Sequence, residues 1–105
     1  MGEFEQLVLL ALLRLGNDAY GMEVREEIEK RTGRDVSYGA VYTTLDRLEQ
    51  KGFVAHWMGE PTAERGGRAK KYFRVLPEGR EALRATRDVL GIMSEGVMFR
   101  CARQN

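Results

Sequence analysis

The densest reactive chemistry in the chain is cationic. In "EPTAERGGRAKKYFRV", residues 60–75, five cations fall within ten positions: Arg65, Arg68, Lys70, Lys71 and Arg74. Pro61 and the adjacent Gly66 and Gly67 mark a turn, and the aromatic "KYFRV" that follows suits a strand. Guanidinium and ammonium groups on a hairpin tip match phosphate oxygens, and glycines let the main chain come close to them. Residues 61–80 carry a net charge of +4 and residues 1–60 a net −4, within an overall +1. Charge focused in this way steers an anionic ligand to one segment without making the whole surface sticky.

Other reactive groups are sparse. The chain has one histidine, His56, and one cysteine, Cys101, far apart in sequence, so no metal site is expected. No nucleophile motif and no phosphate-cradling "GxxxxGK" occurs, so neither catalytic residues, a cofactor nor an enzyme is expected. His56 reads as a half-exposed sheet residue and Cys101 as a plain thiol. A lone cysteine closes no internal disulfide, and the cytoplasm is the expected compartment. The most apolar run, "LVLLALL" at 7–13, falls short of the ~20 residues of a membrane span. It also lacks the flanks of a secretory leader.

A second set of residues gains meaning from its spacing. On a helical wheel of residues 38–50, Val41, Leu45 and Leu48 form a core stripe. The opposite side carries Gly39, Ala40, Thr43, Asp46, Arg47 and Gln50. A helix that enters a DNA groove needs small residues near its start and polar or methyl-bearing side chains for base edges. Gly39, Ala40 and Thr43 meet that need. Arg47 reaches a phosphate or a guanine, and Tyr38 extends its hydroxyl to the backbone. An ordinary amphipathic helix with a solvated face shows the same wheel, and the basic hairpin downstream favours DNA.

These sets need elements to hold them. Helices are expected over 3–15, 19–32 and 38–51, the second closed by Gly33, the third capped by Ser37 and closed by Gly52. Strands are expected at 53–58 and 71–76. Pro77 then opens a helix running from about 78 to at least 98. At 105 residues this is one compact unit of mainly α with a small β-hairpin (α+β). It divides into a winged helix-turn-helix at 1–76 and a C-terminal helix at 77–105. The hairpin tip is the wing.

At this point the chain resembles the PadR-like transcriptional regulators, specifically their short members. The resemblance rests on residues 2–54, on 59–83 and on the run that follows, with "GAVYTTLDRLEQKG" and "ERGGRAKKYF" the most specific blocks. It implies a dimeric, DNA-binding repressor with a C-terminal dimerisation helix. Many members answer to small hydrophobic or phenolic effectors. Carried over by position, the DNA set is Tyr20, Ser37, Tyr38, Gly39, Tyr42, Thr43 and Arg47, with Arg65, Gly66, Gly67, Arg68, Lys70 and Lys71 in the wing. Two departures stand out. Leu76 precedes Pro77, where many relatives have a capping threonine, worth about 1 kcal/mol. The single tryptophan, Trp57, lies on a strand, whereas some drug-binding relatives carry theirs on the last helix.

The dimer has its own signature. Leu83, Thr86, Leu90, Met93 and Val97 recur in an a/d pattern over two heptads. The first helix is apolar nearly all round, and Phe4, Leu7 and Leu10 on it are expected in the same interface. The alternative is packing of the last helix on its own domain. Met93, Met98 and Phe99 suit interface filling or a ligand pocket. The rival function is a winged-helix protein-interaction module without DNA binding.

Overall fold

A computed structural model describes residues 1–59 and 70–99. The elements in chain order are helix α1 (Glu3–Arg14), strand β1 (Ala19–Tyr20), helices α2 (Gly21–Thr32) and α3 (Tyr38–Gln50), strands β2 (Val54–Met58) and β3 (Lys71–Val75), and helix α4 (Pro77–Ser94). The antiparallel sheet has the order β1-β3-β2. One core joins the four helices to the inner face of the sheet. Its largest fully buried side chains are Phe73, Leu9, Leu12, Leu45 and Leu48, with Val8, Val24, Val41 and Val54 between them. Four helices on a small sheet make the α+β winged helix-turn-helix that the sequence leads one to expect.

Local chemistry sets the boundaries. Gly33 ends α2 at φ 73°, a left-handed conformation that favours glycine. The Ser37 hydroxyl accepts the Ala40 N–H at 3.0 Å and starts α3. Pro77 occupies the first turn of α4, where its missing N–H costs nothing. Leu76 gives no side-chain cap, but its own N–H donates to the Phe53 carbonyl at 2.9 Å. Gly79 allows that docking, because a Cβ there would collide with the same carbonyl.

Two boundaries differ from expectation. Residues 19 and 20 are strand, not helix. Asn17, at φ 69°, exchanges hydrogen bonds with the backbone of Val75 and so aligns β1 along β3. The Glu23 carboxylate accepts the Tyr20 N–H at 3.1 Å, which delays the helix to Gly21. Tertiary pairing thus overrides the helix propensity of Ala19. At the other end α4 stops at Ser94, four residues early. Glu95 is extended and Gly96 turns left-handed at φ 79°.

Candidate nucleic-acid interface

Helix α3 buries Val41, Thr44, Leu45 and Leu48 and turns Tyr38, Gly39, Ala40, Thr43, Asp46 and Arg47 to solvent. Its first turn holds no acid, so its positive dipole end and remaining free N–H groups are open to an anion. A Cβ built on Gly39 meets nothing within 4 Å, so nothing in the described subunit requires a glycine there. Tyr38 stacks on Tyr42, with ring centroids 5.5 Å apart. Burial pushes the Tyr38 phenol up, and the neighbouring Tyr42 and Tyr20 push it the same way. At neutral pH it therefore stays an O–H donor. The Arg25 guanidinium lies 6.0 Å from the Tyr38 ring centroid, and its Nε donates to the Val36 carbonyl at 2.8 Å. Arg25 thereby ties α2 to the turn before α3.

Tyr42 is half-buried across the start of α2. A Cβ on Gly21 would come within 2.8 Å of the Tyr42 ring and hydroxyl, so Gly21 makes room for it. Tyr20, the residue before, caps α2. It also begins a row on the outer face of the sheet, because the register sets Tyr20 opposite Tyr72 and Tyr72 opposite Trp57. Lys70 lies on that face too, its ammonium 4.2 Å from the Tyr20 ring centroid. Lys71 points to the other face, over Phe73 at 5.5 Å. Contacts therefore run without a break from the first turns of α3, through the start of α2, to the stem of the hairpin. Arg65, Gly66, Gly67 and Arg68 lie outside the described residues, as does Cys101.

Three features escaped sequence reasoning. Arg74 counts as a cation by composition, but Asp18 accepts from it at 3.0 Å and from the Trp57 indole at 3.4 Å. Arg25 carries no signal in the sequence, because nothing in its heptad neighbourhood points to the turn eleven residues on. His56 meets the Glu49 carboxylate of α3 at 2.6 Å. Among the described residues no cluster of three His, Cys, Asp or Glu side chains suits a metal ion.

The residues expected in a dimer divide into two groups. Phe4, Leu7 and Leu10 are half-buried against their own core. Leu83, only 4% exposed, is also part of that core, and Thr86 is half-buried. Leu90, Met93 and Val97 stand in solvent, with Val89 and Ile92 beside them and Met93 73% exposed. The a/d stripe thus splits: its first position packs inward, and the last two turns of α4 expose their apolar side chains.

Three helices, a three-stranded antiparallel sheet and an outward-facing third helix define a winged helix. A similar fold occurs in F93 from STIV, a winged-helix DNA-binding protein, at TM-score 0.71 and 18% identity over 91% of this chain and 96% of that one. The chain belongs to the PadR-like family of transcriptional regulators, whose family model matches residues 9–85. It is 34% identical to the transcriptional regulator Rv3488 of Mycobacterium tuberculosis, over 78% of this chain and 72% of that protein. A PadR family transcription regulator from Clostridium difficile shares the fold at TM-score 0.73 and 21% identity, covering 90% of this chain and 93% of its own. Members of the family are transcriptional regulators, not enzymes. Among the described residues no helix is long and apolar enough to cross a membrane.

Proposed function

We propose that this protein is a cytoplasmic repressor that grips operator DNA as a homodimer. Residues 1–76 bind the duplex and residues 77–105 join the subunits. The observation that carries the reading is the exposed start of α3: serine-capped, free of acids, opened by Gly39 and linked by contact to the Lys70-bearing hairpin stem. Gly39, Ala40, Thr43 and Arg47 meet base edges in the major groove, and Ser37, Tyr38, Tyr42 and Tyr20 meet flanking phosphates. Arg65, Arg68, Lys70 and Lys71 follow the backbone from the wing, with Gly66 and Gly67 permitting close approach.

The unpartnered turns of α4 support the dimer. The last two turns of α4, which project Leu90 and Met93 into water, gain little from their own subunit. Pairing around a two-fold axis covers the stripe and sets two copies of α3 on one duplex. A small hydrophobic effector lodged between the subunits alters their spacing and releases the operator.

Titrating duplex DNA from upstream of the protein's own gene at rising salt tests this. Affinity is expected to fall steeply, with a log–log slope of about −0.9 per phosphate contacted. The combined variant with Arg65, Arg68, Lys70 and Lys71→Ala flattens that slope. Binding indifferent to both salt and these substitutions sinks the reading in favour of a protein-interaction module.

A further inference from the structure

The outer face of the sheet carries an arrangement that DNA contact alone does not explain. Tyr20, Tyr72 and Trp57 stand side by side across the three strands, one from each. Tyr72 is the middle member. Its ring stacks on Trp57 with centroids 4.7 Å apart and planes 14° from parallel. It meets Tyr20 edge-on at 5.7 Å and 79°. Both are favoured geometries for aromatic pairs, and each pair contributes beyond simple burial. The Lys70 ammonium closes the row over the Tyr20 ring.

Three further facts show that the row fixes the hairpin stem. The β2–β3 ladder continues past the strands, with the Gly59 N–H donating to the Lys70 carbonyl at 2.8 Å. A Cβ on Gly59 would stand 2.6 Å from Cε1 of Tyr72, so the ring occupies the space that the glycine leaves empty. Asp18 then accepts from the Trp57 indole and from Arg74, which fastens the far side of the row to the turn before β1.

We infer that Tyr72 is a positioning residue for Lys70, at the base of the hairpin. Wedged between Trp57 and Tyr20 over Gly59, it holds Lys70 beside the start of α2. Tyr72 itself touches no nucleic acid in this account. Its effect runs through Lys70. The inference rests on the DNA-binding function proposed above.

A stacked pair with only apolar demands distinguishes ring from hydroxyl. Tyr72→Phe keeps the wedge, whereas Tyr72→Leu keeps bulk but loses the stack. Gly59→Ala leaves every ring in place chemically and displaces Tyr72 by its methyl group. Each variant is titrated with duplex DNA across a salt series, alongside the protein carrying the four wing substitutions. The emission of Trp57, the chain's one tryptophan, is recorded without DNA.

The expected result is that Tyr72→Phe matches the parent in both readouts. Tyr72→Leu and Gly59→Ala alter Trp57 emission and flatten the salt slope toward that of the wing variant. Each phosphate that the protein no longer neutralises lessens the fall in affinity between about 50 and 200 mM salt by roughly 3.5-fold. A merely structural Tyr72 lowers the melting temperature and leaves the slope unchanged, and that outcome overturns the inference. Should Tyr72→Leu fail to fold, Gly59→Ala decides by the same slope. A parent protein with no salt-dependent DNA binding overturns the functional reading, and the inference falls with it. A parent that binds while both variants keep its slope overturns the inference alone.

Discussion

Gly39 shows how much one side chain's absence can mean. Glycine near a helix start lowers stability relative to alanine, by up to about 1 kcal/mol. The described subunit has open space at that point and gains nothing from leaving it empty. The vacancy makes sense if the backbone of α3 must come close to a groove. Gly39→Ala is therefore expected to raise the melting temperature by a few degrees and to weaken DNA binding, and Gly39→Leu to weaken it further. Affinity that rises together with stability contradicts close backbone approach. At this scale sequence reading did well where a residue's role is local. Ser37 caps α3 as its type and position imply. It did poorly where the role depends on a distant partner. Arg74 is paired with Asp18, 56 positions away, and the ring of Tyr20 is covered by Lys70, 50 positions on.

Helix α1 ties the other elements together at the two ends of α3. In its first turn Glu3 accepts twice from Arg34, in the turn before α3, at 3.1 Å. Glu5, a buried acid, accepts from the Lys51 ammonium, just past the end of α3, at 2.9 and 3.1 Å. Burial works to raise the Glu5 carboxyl, but the hydrogen bond and charge of Lys51 outweigh it, and the Gly2 N–H helps. The carboxyl is thus held below its ordinary value of 4.5. A lowered folded-state value contributes stability that is present above the unfolded value and lost as pH falls through the folded one. Lys51→Met is expected to cost about 1 kcal/mol near pH 7, since Lys51 stays open to solvent. The gap to the parent should close as pH falls below about 4.5. Denaturant melts across that range check it, and a gap independent of pH removes Glu5 from the account. The helices and the β2–β3 hairpin were legible because their periodicity and caps are local. The two-residue β1 was not, because it exists only through pairing with β3.

For the whole molecule, the exposed second half of α4 is where the proposed dimer would join. Leu83 packs inward, and Leu90 and Met93 do not. A Leu or Met side chain is worth roughly 1.5–3 kcal/mol when fully buried, so losing both from each of two subunits removes about 6 kcal/mol or more. Leu90→Asp with Met93→Asp is expected to leave a folded monomer in sedimentation and to reduce operator affinity sharply, since two linked heads bind far more tightly than one. A dimer that survives both substitutions places the interface elsewhere. The sequence by itself determined the order of the four helices and the hairpin, the core stripe of α3, and the concentration of positive charge on one segment. Those follow from side-chain period, capping chemistry and composition, all of which act over a few residues. Only the tertiary structure decided which of the described cations are paired, which half of α4 is exposed, and that Tyr20, Tyr72 and Trp57 stand in one row. These depend on strand register and helix packing, which bring together residues that no local pattern connects.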